Sequence, residues 1–330
     1  MRATVSMPPT GRRSRPQRQR GIALVLALWL TILLTVIASG FAFSMRSEAL
    51  AARNMVSLSQ VRAAANGAIE RTAYELTRPR LPDSWNTDGV AHTWREGDLT
   101  LRASATDESA KIDLNAANEA LLRSLFTSVG GADPDVAAHI VDAILDWRDA
   151  DDLKRPNGAE EADYRAAGLT YKPANAPFET VTELARVMFV TPDIYARVAD
   201  SLTVQSRQPG VNTATASRTV LLALPNATPE VIDAFLQQRA AALAEKRPVP
   251  PLPLAQGFAA GATGIWRIRA QATGPDGVTF AREAVVRPSG DVRRPFIALA
   301  WLDDISPAPV VAAADASGNA TEPKNSNGRP

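Results

Sequence analysis

The side chains best placed to do chemistry lie between Leu145 and Leu169, in LDWRDADDLKRPNGAEEADYRAAGL. Asp146, Asp149, Asp151, Asp152, Glu160, Glu161 and Asp163 fall within eighteen residues there, and Asn157-Gly158 supplies a turn. Hard divalent cations such as calcium take about six to eight oxygen ligands, and a flexible loop with carboxylates at alternating positions can supply them. The spacing is not that of an EF-hand, whose loop ends in a glutamate at a fixed position. On the residues alone, a solvated acidic loop partly neutralised by Arg148, Lys154 and Arg155 fits somewhat better.

Other chemistries find little support. There are no cysteines, which excludes disulfides, thiol catalysis and cysteine–zinc sites. His92 and His139 show no metal-ligand spacing, and His139, within AAHIVDAILDW, reads as a structural histidine. No G-x-S-x-G elbow, P-loop or dinucleotide fingerprint occurs. Paired carboxylates acting as acid and base need environments that separate their pKa values, and a polar loop offers little burial. The chain reads as a non-enzyme.

The elements that must position the acidic loop begin at the N-terminus. Six arginines and no acid occupy the first twenty residues, and no residue from Gly21 to Met45 is charged. At about 1.5 Å per residue that apolar run spans a bilayer, and a basic arm ahead of it stays on the cytoplasmic side. Ala38-Ser39-Gly40 has the small-residue form of a signal-peptidase site, so simple export with cleavage is one reading. Helical spacing nevertheless continues through Leu50, Asn54, Leu58, Val61, Ala65, Ile69, Thr72 and Leu76, until Pro79 ends it. One helix from about Ile22 to Arg78 would be roughly 85 Å long. This N-terminus resembles those of type IV pilins and type II secretion pseudopilins. The resemblance implies prepilin peptidase cleavage after Gly21, with Ile22 as the new, methylated N-terminus. It also implies a glutamate at the fifth mature position, where this chain has Leu26.

Farther on, VAHTWR and LTLRASA around Glu96-Gly97-Asp98 predict a hairpin, and strand patterns return at GIWRIRAQA, VTFAREAVVR and FIALAWL. A long helical block lies between them, most simply an insertion in one sheet. Within it IDLNAANEALLRSL resembles GVNTATASRTVLLAL, with Asn115 or Asn212 as candidate helix caps, and ETVTELARVMFVTPDIYARVADSLTV is a third unit of similar length. These units look like helix-hairpin-helix folds. Their use on DNA needs glycines in the hairpin, which only Gly130-Gly131 provides; the others have Phe189-Val190 and Asn226-Ala227. From Asp107 to Ser206 acids outnumber bases roughly two to one, so nucleic acid is a poor partner.

DESAKIDLNAA, LDWRDADD…NGAEEADY, YKPANAPFETVTELARV, YARVADSLTV and GVNTATA follow in that order. They resemble the signature segments of the type II secretion minor pseudopilin K family, over nearly everything from Arg20 to about Arg287. The resemblance implies an α+β pilin fold, a long N-terminal helix on an antiparallel sheet with a large α-helical domain inserted between strands. It accounts for Leu26, since that family lacks the fifth-position glutamate. It also implies structural calcium in the inserted domain, carried over first to Asp149, Asp151 and Glu160, then to Asp146 and Asp152. The implied partners are other minor pseudopilins in a tip complex, prepilin peptidase and the inner-membrane platform, with the globular part in the periplasm. The expected division is a leader at 1–21, a transmembrane half-helix at 22–45, and the rest of the helix with the first strands at 46–106. An acidic helical domain follows at 107–205, then a second helical unit with returning strands at 206–302, and a disordered tail at 303–330. Two other readings are a membrane-anchored DNA-binding protein of a competence-type system and a signal-anchored periplasmic binding protein.

Overall fold

A computed structural model describes residues 20–78, 85–291 and 293–303. Residues 1–19 of the expected leader, Pro79 and residues 304–330 of the expected tail lie outside the described residues. Residues 1–59 and 60–330 form two compact units.

The described part of the first unit is wholly helical and belongs to α1 (Arg20–Thr77). Its apolar side chains from Ile22 to Met45 are exposed, and among the described residues α1 is the helix long and apolar enough to cross a membrane. Thr31 and Thr35 return their hydroxyls to the carbonyls of Ala27 and Thr31, each at 2.7 Å, so neither leaves a polar group unpaired in that stretch. The expected seam is covered only in its later part. Val61, Ala65, Ile69 and Thr72 are buried, whereas Leu50, Asn54 and Leu58 are exposed. Among the described residues the first unit is helix, with no second layer to bury that stripe.

In the second unit the hairpin strands β1 (His92–Glu96) and β2 (Leu99–Asp107) come first. A short β3 (Ile112–Asp113) follows, then α2 (Glu119–Ser128), α3 (Pro134–Arg148), α4 (Glu161–Ala166) and α5 (Pro192–Val198). After β4 (Leu202–Thr203) come α6 (Arg218–Leu222), α7 (Pro229–Ala244) and the strands β5 (Trp266–Thr273), β6 (Thr279–Asp291) and β7 (Arg294–Asp303). Five strands form one antiparallel sheet in the order β1-β2-β5-β6-β7, and β3 pairs with β4 in parallel. The helical block therefore leaves and re-enters the sheet between neighbouring strands. Strand β7 includes Asp303, the residue expected to open the tail, and its carboxylate pairs with Arg62 and Arg282.

Two cores result. In the sheet, alternate residues of β2 and β5 face inward, Leu101, Ala103 and Ala105 against Ile268, Ala270 and Ala272. Ala65, Ala68 and Ala73 of α1 meet them, and small side chains on both sides let helix and sheet approach closely. The insert has the second core, in which Leu122 and Ile144 share one cluster with Val220, Leu221 and Phe235. The division expected between 205 and 206 is therefore not a break in packing. A single helix pair is too small to bury both its faces, and stacking two pairs solves this.

The repeat is visible in geometry more than in residue identity. Gly131, Phe189 and Asn226 have φ of 67°, 70° and 62°, and each stands two residues before a helix cap, Asp133, Thr191 or Thr228. Proline follows each cap at the first helical position, where no N–H is needed. The guanidinium of Arg148 donates to the carbonyls of Leu114 and Ala117, and that of Arg239 to those of Thr213 and Ala216. The first-helix caps are Asn118 and Ser217 rather than Asn115 and Asn212. Asn115 is used elsewhere, exchanging hydrogen bonds of 2.9 and 2.7 Å with the backbone of Phe178.

Where the chain crosses between sheet and insert, Asp107 takes both strands at once. Its carboxylate accepts from the N–H and hydroxyl of Ser109, the N–H and hydroxyl of Thr263, and the N–H of Gly264, at 2.6–3.0 Å.

Candidate metal centre

The helix α3 carries Asp142 and Asp146 at i, i+4 spacing, and Asp149 follows directly as its C-terminal cap. At Asp149 the chain turns back over α3. The N–H and side-chain amide of Asn157 both donate to Asp142 at 3.0 Å, and a ring nitrogen of His139 lies 2.9 Å from the Asn157 carbonyl. His139 is thus a tether for the loop. Asp146, fully buried, accepts from the N–H of Ala159 at 2.9 Å and that of Arg155 at 3.3 Å, with Arg155 Nε at 3.6 Å. A side chain at Gly158 would put its Cβ 1.9 Å from the Asp146 carboxylate, so only glycine lets the loop pass there.

These contacts sort the expected ligands. Asp146 is committed to shaping the loop. Asp163 is taken by Lys154 at 2.7 Å and by the N–H of Glu160 at 2.9 Å, and Glu161 pairs with Arg165 and Lys172. Asp151 accepts from the N–H of Leu153 at 2.9 Å, and Asp152 from the amide of Asn175 at 2.7 Å. Glu160 is different: it is 7% exposed, and although its side chain faces the Asp163 N–H in a capping box, neither carboxylate oxygen receives a hydrogen bond of ordinary geometry. Asp149 Oδ1 and Asn175 Oδ1 are likewise buried and unpartnered. Asn175 was not foreseen from sequence; only its left-handed φ of 47° and its placement beside Asp152 mark it.

Electrostatics agree with this sorting. Burial, then the charges of Asp146 and Asp149, push the Glu160 carboxyl up from 4.5 to about 7. Burial also raises Asp149, with Asp151 adding to it. Burial raises Asp146 too, against the two backbone N–H groups that lower it. Among the described residues, no three carboxylates or histidines already stand together as a metal site. The orphaned oxygens nevertheless suit a hard, oxygen-preferring cation, which would need the loop to draw its side chains inward. Beside Asp149 a cavity of about 280 Å3, lined also by Arg148, Arg155 and Pro177, leaves room for that adjustment.

The residues at the head of α1 are placed apart from this loop in sequence and unit. Gly21 lies within α1, and Ile22 and Leu26 are exposed along it.

Comparison with known proteins bears on the whole. A family model described as "Type II secretion system (T2SS), protein K" matches residues 100–207, from β2 through the acidic loop to the end of β4. The type II secretion system protein K of Klebsiella pneumoniae is 32% identical over 230 residues, which are 62% of this chain and 70% of that protein. That of Pectobacterium carotovorum subsp. carotovorum is 27% identical over 251 residues, 67% of this chain and 76% of that protein. The fold matches a chain in the crystal structure of the GspK-GspI-GspJ complex from the enterotoxigenic Escherichia coli type 2 secretion system. The TM-score is 0.58 at 16% identity, covering 77% of this chain and 99% of that one. With a pilin-like helix and sheet, a helical insert between adjacent strands and relatives matched over most of their length, the chain belongs to the type II secretion system protein K family and is a minor pseudopilin.

Proposed function

We propose that this chain caps the tip of a pseudopilus and helps to initiate its assembly with other minor pseudopilins on the inner-membrane platform. One observation carries the reading: a bulky helical domain stands between adjacent strands of a pilin-like sheet and is tied to both by Asp107. Such a domain would obstruct a further subunit above it. Prepilin peptidase would cut after Gly21 and leave Ile22 as the N-terminus, methylated as in pilins. With leucine at position 26, the chain lacks the carboxylate that would neutralise a neighbour's N-terminal ammonium, and an unpaired charge in an apolar fibre is costly. The crystallised GspK of similar fold is in complex with GspI and GspJ, which supports partners of that class. The basic arm supports a cytoplasmic N-terminus and a periplasmic second unit. Neither catalysis nor nucleic-acid binding belongs to this reading.

Calcium would be held by Asp149, Asp151, Asp152 and Glu160, with Asp146 shaping the loop. When bound, the cation supplies positive charge that the like-charged loop lacks. The protein's part is to order the loop and exclude water from Glu160.

Mass spectrometry of the chain purified from membranes, with and without prepilin peptidase, tests the assembly reading. The expected product begins at Ile22 and carries a methyl group. An N-terminus at Met1, or one beyond Ala38, would overturn it.

A further inference from the structure

We propose that the side-chain oxygen of Asn175 is a ligand of the cation, so that the site joins two loops instead of belonging to the acidic loop alone. The proposal rests on the cation reading above.

Asn175 lies in YKPANAP, beyond α4 and fifteen residues after Glu160. Its backbone is left-handed, a conformation asparagine tolerates better than most residues. The segment around it is anchored to the insert core: Ala176 donates to the Trp147 carbonyl at 3.4 Å, Asn115 brackets Phe178, and the Phe178 ring stacks on Trp147 at 5.9 Å. The amide is therefore presented from a braced position. Its nitrogen donates to Asp152 Oδ1 at 2.7 Å and to the Asp151 carbonyl at 3.3 Å, which turns the group toward the acidic segment. The amide oxygen is buried and has no donor.

Three other acceptors share that condition, both oxygens of Glu160 and Asp149 Oδ1. Most neighbouring protein cations are committed elsewhere. Arg148 holds the carbonyls of Leu114 and Ala117, Lys154 holds Asp163, Arg165 and Lys172 hold Glu161, and Arg155 Nε stands 3.6 Å from Asp146, itself without a hydrogen bond. Buried acceptors without donors are uncommon in folded proteins. A group of buried acceptors without donors is the arrangement a hard metal ion completes, and neutral amide oxygens are ordinary calcium ligands. A cation bound by Glu160, Asp149 and Asn175 would pin the 172–177 segment to the acidic loop.

The test is calcium titration calorimetry on the full chain in detergent, with terbium luminescence sensitised through the nearby Trp147 as a second readout. Asn175→Gly removes the amide without straining the left-handed backbone, and Asn175→Asp keeps an oxygen while losing the donor to Asp152. Glu160→Gln reports on the parent reading. The expected result is calcium affinity at least about tenfold weaker in Asn175→Gly and near wild type in Asn175→Asp, each read on protein shown to be folded in chelator. Wild-type affinity in Asn175→Gly, with loss in Glu160→Gln, would overturn the role of Asn175 and leave the cation reading standing. Equal loss in Asn175→Gly and Asn175→Asp would make Asn175 a positioning residue acting through Asp152, and would overturn its role as ligand. No calcium binding to the wild-type chain would overturn both.

Discussion

Glu108 and Glu160 are both buried acids of the same insert, 1% and 7% exposed, and their surroundings are opposite. Glu108 receives Arg267 Nε at 2.6 Å and the hydroxyl of Thr203, and Arg267 continues to Glu283, which also takes Arg269. Burial pushes Glu283 up, but Arg267 and Arg269 outweigh it and hold the carboxyl below its ordinary value. Glu160 has no such partner and is pushed up by burial and by neighbouring carboxylates. The first group is a finished joint between β2, β4, β5 and β6. The second is a set of acceptors that receive no hydrogen bond from the described residues. A buried charge by itself says little; its unfilled valences separate a structural joint from a binding site.

Removing a partner from each group should therefore give opposite signs. The largest effect is expected for Arg267→Met, which leaves the buried Glu108 without its cation and Glu283 with Arg269 alone, and should destabilise the chain by about 3–5 kcal/mol in urea unfolding. A smaller loss would mean that water enters the joint. Gly158→Ala should cost about 1–3 kcal/mol, because the new Cβ meets the buried Asp146 carboxylate. If it is tolerated, the loop is looser than its hydrogen bonds to Asp146 imply. Glu160→Gln in chelator at pH 8 should leave stability unchanged or raise it by up to about 1 kcal/mol, since it removes charge from a like-charged cluster. A clear loss would show that Glu160 already has a partner in the apo protein.

The same comparison gives a pH dependence. The folded Glu160 carboxyl titrates near 7 and the unfolded one near 4.5, so between those values the folded state binds the extra proton. Stability contributed by this group is full below about 4.5 and is lost as pH rises through about 7. Melting temperatures in chelator should fall across that window by more in wild type than in Glu160→Gln, and saturating calcium should remove the difference. Parallel profiles for the two proteins would break the assignment. The smallest effect is expected for Arg123→Ala, whose pair with Glu119 is exposed on both sides and should contribute under about 0.5 kcal/mol.

Much of this was legible in advance where a pattern repeats along the chain. The uncharged run before Arg46, the alternation in LTLRASA and WRIRAQA, and the acidic spacing after Leu145 each carry their own period or composition. The left-handed backbone at Phe189 was not, because glycine is the usual signal for that conformation and the residue here is aromatic. The caps at Asn118 and Ser217 were misassigned to Asn115 and Asn212, since several small polar residues precede each helix and spacing alone does not choose among them. The loop-shaping role of Asp146 depends on N–H groups nine and thirteen residues later.

By itself the sequence determined the periodic and the compositional: a long uncharged apolar helix, a sheet interrupted by helices, and a loop too acidic for a phosphate partner. Each follows from local spacing or summed charge, which survive without knowledge of neighbours. Tertiary structure alone decided which acids are satisfied. Arg267 reaches Glu108 across 159 residues, while Lys154 and Lys172 are drawn to Asp163 and Glu161 and leave Glu160 bare. Hydrogen-bond satisfaction depends on which groups the fold brings within about 3 Å, and that distance is not written in chain order.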